Sequence, residues 1–151
     1  MVSQLNDPFD LKRFLDAQRA NYEEALSELR AGLKQTHWSW YVLPQVSGLG
    51  ASAMATRYAI KSMAEAKAYL EHPILGARLR ECIAAINAHT GLSANQMLGE
   101  IDAQKFHSCL TLFSEAKSSD PLFGKALDKY FAGRPDTATL AILASQRGST
   151  P

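Results

Sequence analysis

Helix-start and helix-stop residues recur along this whole chain, and the apolar residues between them fall at helical spacing. That pattern constrains the fold more than any other feature of the sequence. Asp7-Pro8 joins an N-capping acid to a proline at the first helical position, where its missing N–H costs nothing. Leu11, Phe14, Leu15 and Gln18 then share one face. Asn21 with Glu24 forms a weaker capping box, after which Tyr22, Ala25, Leu26, Leu29 and Leu33 follow, with Gly32 as a stop. Ser62 and Glu65 make a capping box for a short helix carrying Ala66, Tyr69 and Leu70. His72-Pro73 interrupts and restarts the chain, and Leu75, Leu79, Cys82, Ile83 and Ile86 form its clearest apolar stripe.

The second half repeats the theme. Ser93 with Gln96 caps a short turn ending at Gly99. Asp102 is expected to cap a helix burying Phe106, Cys109, Leu110 and Phe113. Asp120-Pro121 starts the next, stopped by Gly133, and Asp136 caps a last helix with Leu140 and Leu143. Strand evidence is confined to residues 38–43, Trp-Ser-Trp-Tyr-Val-Leu, which read equally as a buried helical turn. The expectation is an all-α fold: an irregular single-domain bundle of seven to eight helices with at most one short strand pair. Residues 1–151 form one domain on this reading, with 1–6 and 145–151 as flexible tails.

Composition narrows the function classes. With 151 residues, 46% hydrophobic and 21% charged, the chain is of ordinary globular make-up. A net charge of +1 gives no electrostatic footprint for nucleic acid or an anionic membrane surface. Cys82 and Cys109 sit in no CxxC pair, which argues against a disulfide framework or a thiolate zinc site and for a cytoplasmic location. The N-terminus lacks the basic start and apolar core of a secretory signal, and no apolar run reaches membrane-spanning length. His37, His72, His89 and His107 show no metal-binding spacing, so no metal or cofactor is expected.

One segment departs from ordinary scaffold. Residues 29–64 hold no Asp or Glu, although the chain carries 15 acids. They do hold Arg30, Lys34, His37, Arg57 and Lys61, both tryptophans, Tyr41, Gln45, and the turn Gly48-Leu49-Gly50-Ala51-Ser52. These residue types suit an anion attached to an aromatic group. Glycines admit backbone N–H groups close to a phosphate, and a helix starting near Ser52 would aim its positive end there. Trp38 and Trp40 could stack on a base, with Lys34 or Arg57 neutralising charge. The alternative is that the tryptophans are simply core, and a lone GxG lacks a dinucleotide fingerprint. His37 is the best general acid/base candidate of the four histidines. Asp102, Lys105, Ser108 and Thr111 fall at spacings of three. They read either as a cap with a surface ion pair or as a polar helix edge facing the pocket, Asp102 as general base and Lys105 on phosphate.

Several runs also resemble a bacterial family of unknown function whose members are often mislabelled calpastatin. They are Phe14 to Gln18, His37 to Tyr41, Pro44-Gln45, Gly48 to Gly50, Tyr69 to Gly76, and Thr111 to Phe113. The resemblance extends from about residue 8 to 143. A remoter likeness is to the NADAR (YbiA-like) superfamily, mainly helical proteins that act on ADP-ribose and riboflavin-pathway N-glycosides. Phe14 to Arg19 is similar to its Glu-His-Tyr-x-Gln-Ala-Gln-Lys helix, and Ala68 to Leu75 to its Lys-Phe-x-x-His-Pro-x-Leu. The resemblance implies a pocket for ADP-ribose or a related phosphate-bearing nucleotide, with cleavage of an N-glycosidic bond. Lys12 stands where that family has an acid, so Glu28 or Asp102 would supply the carboxylate. The competing expectation is a non-enzymatic protein-interaction module that uses the Trp-rich segment as a groove. Oligomeric state is left open.

Overall fold

The computed structural model describes residues 7–148. Among them are nine helices: α1 (Lys12–Ala31), α2 (Ser39–Val42), α3 (Ala53–Arg57), α4 (Met63–Glu71), α5 (Leu75–Asn87), α6 (Ala94–Leu98), α7 (Glu100–Ala116), α8 (Pro121–Phe131) and α9 (Thr137–Gly148). The architecture is the expected helical bundle. Among the described residues the one pairing of extended backbone is an isolated parallel bridge between Val46 and Ile60. Among the described residues no helix is long and apolar enough to cross a membrane. α9 runs to Gly148, into the span assigned above to a tail; the remainder of that tail, and residues 1–6, lie outside the described residues.

Caps account for most helix starts. Ser52, Ser62 and Ser93 each accept the backbone N–H three residues on, and Ser93 with Gln96 closes a full reciprocal capping box. Asp120 accepts from Leu122 N at 3.0 Å ahead of Pro121. Asp136 accepts from Thr139 N and from its hydroxyl, at 3.2 and 2.6 Å. His72 Nδ1 accepts from Ile74 N and Leu75 N, so the histidine of His72-Pro73 serves as the cap that restarts the chain.

Three expected boundaries move. α1 begins at Lys12 and not at Pro8, which lies in a turn: Asp10 takes a φ of 52°, and Asp7 accepts from Leu11 N and Lys12 N at 2.8 and 3.0 Å. α1 runs unbroken through Asn21, because nothing between Gln18 and Ala25 disfavours a helix and the Asn21 amide instead donates to the Tyr41 hydroxyl at 2.8 Å. Asp102 is not a cap. α7 begins at Glu100 after Gly99, whose φ of 85° turns the chain there, and Asp102 falls inside the first turn. The aromatic stretch 38–43 forms a single helical turn. Leu33 lies past the Gly32 stop and is exposed.

α7 is the axis of the bundle, packed by α4, α6, α8 and α9, while α5 bridges α1, α4 and α8. Their contact faces form one core: Phe14, Tyr69, Phe106, Phe113, Phe123 and Ile83 are sealed from solvent. Phe14 meets Tyr69 edge to face at 5.1 Å, and Tyr69 lies 5.4 Å from Phe113. α4 and α5 approach so closely that a Cβ on Gly76 would lie 2.1 Å from the Leu70 carbonyl oxygen. Gly76→Ala is therefore expected to destabilise the domain by about 1–3 kcal/mol, the usual cost of overpacking. A urea melt that leaves the midpoint unchanged would contradict this.

Candidate functional site

The segment without acids does not act as one unit. Its first part, with α1 and α7, builds a strut in which carboxylates, ammonium groups and indoles alternate. Glu28, 9% exposed, accepts from Gln35 N, Thr36 N, the Thr36 hydroxyl and Trp38 Nε1 at 2.8, 3.0, 2.6 and 2.9 Å. Burial pushes the Glu28 carboxyl upward. The donors on it outweigh that, Thr36 hydroxyl foremost, and bring it down to about 2. Lys34 lies 4.9 Å from the centre of the Trp38 ring and pairs with Asp102 at 2.8 Å. Asp102 also faces Lys105 at 3.7 Å, and Lys105 lies 4.8 Å from the centre of the Trp40 ring.

Beyond Lys105 the strut opens into a cleft of about 770 Å³. One wall comes from α2, α3 and the chain between them: Trp40, Gln45, and residues 49–52 with Ala55. The other comes from α6 to α9, including Glu100, Gln104, Lys105, Ser108, Phe131 and Asp136. Of the residues singled out in the sequence, Trp40, Gln45, Gly50, Ser52, Lys105 and Ser108 are brought together here. Trp40 is half-buried, whereas Trp38 is 1% exposed and belongs to the core. Tyr41 is buried too, its ring edge-on to Tyr58 at 5.3 Å.

The other expected site residues lie elsewhere. His37 is exposed and lines neither this cleft nor a second one. Arg57 ends α3, lies 5.5 Å from the Tyr58 ring centre, and lines that second cleft of about 760 Å³, together with Lys61 and the Arg13–Glu65 pair. The glycine turn has structural reasons of its own. Gly48 holds a φ of 105°. A Cβ on Gly50 would lie 2.8 Å from that of Ala55. The Ser52 hydroxyl is spent on capping α3.

Sequence reasoning missed Gln104 and assigned Asp136 only its capping role. Asp136, 7% exposed, caps α9 from the floor of the cleft, where Ser108 Oγ donates at 3.0 Å and Gln104 Nε2 at 3.2 Å. Burial raises its pKa, and the Thr139 and Ser108 donors more than reverse this, so the carboxyl titrates below the usual range. The three-residue spacing that picked out Lys105 and Ser108 was the available signal for this helix edge. Thr111, on the same edge, is buried and accepts from Asp136 N at 2.8 Å. The thiols offer no nucleophile: both cysteines are buried, and burial pushes Cys82 up to about 12 and Cys109 higher still.

Known proteins resemble this arrangement as a whole. A crystal structure of the conserved hypothetical protein Rv1873 from Mycobacterium tuberculosis is similar to this chain with a TM-score of 0.90 and 47% identity. The match covers 91% of this chain and 99% of that one. No functionally curated protein matches. Residues 8–143 match the family described as "Protein of unknown function (DUF1810)", and on that extent of match the chain belongs to it.

Proposed function

We propose that this domain binds a small nucleotide-like molecule, a planar ring carrying phosphate, in the cleft beside Trp40. The observation that carries the reading is the conjunction, in one concave site, of a half-buried indole, the Lys105 ammonium over it, and the amides of Gln45 and Gln104. A volume of about 770 Å³ is that of a small-molecule site. ADP-ribose or a related N-glycoside is the ligand class that the likeness to the NADAR superfamily supplies. The residues carrying that likeness, Phe14, Gln18, Tyr69 and His72, pack and cap in the scaffold: Gln18 Nε2 donates to Tyr41 O at 2.7 Å and to the Tyr69 hydroxyl at 3.2 Å. They support a shared framework for the pocket and not a shared catalytic group.

Hydrolysis of an N-glycosidic bond needs a carboxylate free to steady positive charge or activate water. Glu28 is saturated with donors, and Asp102 lies between two ammonium groups. Neither carboxylate that the likeness nominates is free for that role, and the proposal is therefore of binding; Glu100 is a further acid in the cleft wall. A protein-interaction groove built on the Trp-rich segment finds less support, since Trp38 is sealed and Trp40 faces a concavity.

Calorimetric titration with AMP, ADP-ribose and NAD tests the proposal. At least one is expected to bind, and Trp40→Leu is expected to weaken it about tenfold or more, given about 1–3 kcal/mol for base–aromatic stacking. The variant should keep a cooperative unfolding transition. Folded wild-type protein that gives no heat with any of the three would overturn the reading.

A further inference from the structure

Next to the cleft, at Trp40, lies a chamber of about 10 Å³, room for the centre of one oxygen-sized group. Trp40, Gln45, Ala55 and Lys105 line both spaces, so the chamber adjoins the cleft at these side chains, with Leu43, Tyr58 and Ala59 closing its other sides. Ser39 also lines it, and its buried hydroxyl has no hydrogen-bond partner among the described residues, although the residue is only 3% exposed. Buried polar atoms are satisfied as a rule, so this one needs an explanation.

Two further groups in the same wall have unused hydrogen-bonding capacity. The Gln45 side-chain amide hydrogen-bonds to nothing among the described residues. Lys105, with a side chain only 21% exposed, has one anionic neighbour, Asp102 at 3.7 Å, which is beyond hydrogen-bonding distance. Asp102 is already claimed by Lys34 at 2.8 Å. Asp102 is thus shared unequally, and Lys105, at the end nearer the cleft, is the ammonium without a close carboxylate partner, Glu100 and Asp136 lining the cleft farther off.

Resting on the cleft reading above, we infer that this chamber is a subsite for one anionic oxygen of the ligand, held by Lys105 Nζ, Ser39 Oγ and the Gln45 amide. The oxygen belongs to a phosphoryl group or to a carboxylate on a planar ring. Either presents a single compact acceptor that three donors can surround, and charge-assisted bonds to it are the strong ones. The ring would then lie outward, beside Trp40.

Paired probes differing in charge test this: AMP against adenosine, and nicotinate against nicotinamide. Wild-type protein is expected to prefer the anionic member of at least one pair by tenfold or more, and the pair that shows it identifies the source of the oxygen. Ser39→Ala should shrink that preference at least threefold without changing affinity for the neutral member. Lys105→Met should abolish it, and Lys105→Arg should restore part of it. Equal affinity for both members of each pair in wild type overturns the subsite while leaving the cleft standing. So does a Ser39→Ala or Lys105→Met variant that weakens both members by one common factor. Binding of none of the four probes overturns the subsite, and the titrations with ADP-ribose and NAD then decide whether the cleft reading falls with it.

Discussion

Glu65→Ala is expected to lower unfolding free energy by about 3–5 kcal/mol, the cost of stripping one partner from a buried ion pair. Arg13 and Glu65 meet at 2.7 Å with side chains 6% and 3% exposed. Every Arg13 donor is used: Nε on Arg57 O at 2.8 Å, Nη1 on Phe9 O and Asp10 O at 2.7 and 2.8 Å, and Nη2 on Ala59 O at 2.9 Å besides Glu65. One guanidinium therefore ties α1, the turn before it, the end of α3 and the start of α4 together. Glu65 also accepts from Lys61 N at 3.0 Å. Removing the carboxylate leaves a buried cation with no counter-charge, a large loss for a domain whose whole stability is about 5–15 kcal/mol. Urea melts of Glu65→Ala and of Arg13→Met/Glu65→Leu would measure it. The double variant should recover much of the loss, because it removes the orphaned charge. A single-variant cost under about 1 kcal/mol would show that the pair is not the anchor described here.

The second large effect is in acid. Glu28 titrates near 2 in the folded chain against an ordinary 4.5. A carboxyl depressed in this way contributes stability that is fully present above its unfolded value and is lost as pH falls from about 4.5 toward 2. A shift of that size corresponds to about 3 kcal/mol. Glu28→Gln should therefore cost about 3 kcal/mol at neutral pH and flatten the stability profile between pH 4.5 and 2. Asp120 and Asp136 also titrate below their ordinary range, so a shallower acid slope should persist in the variant. Trp38 donates to Glu28 and supplies a local readout through its fluorescence. If wild type and variant follow parallel pH profiles, the carboxylate is not held as described.

Both residues show where reading the sequence stops. Capping and apolar spacing are local, and they located most helices because Ser62, Ser93, Asp120 and Asp136 act within a few residues of themselves. Ser62 and Glu65 were legible as a box, yet that Glu65 also meets Arg13 depends on how α1 and α4 cross, and no spacing encodes this. The site residues fared similarly. Glu28, Lys34, Trp38, Trp40, Asp102 and Lys105 were all singled out and do assemble, but most of them lock a loop to α7. Lack of acid in residues 29–64 marked where two external carboxylates are needed, Glu28 before the stretch and Asp102 well after it. Gln104 and Ser39 carry no local signal at all. Their importance appears only when the helices have placed them at the cleft.

The Val46–Ile60 bridge, with Ser47 N on Ile60 O at 2.8 Å and Ile60 N on Gln45 O at 2.9 Å, pins both ends of the excursion that contains Gly50, Ser52 and α3. Val46 and Ile60 are anchored in the core, while most of what lies between them faces outward. The excursion is thus a cassette clipped at its base. Its outward side chains, Ala51 and Ser52 among them, can be exchanged to alter the cleft wall, while Tyr58, against Phe14 and Tyr41, keeps the cassette seated on the helices that give the molecule its shape.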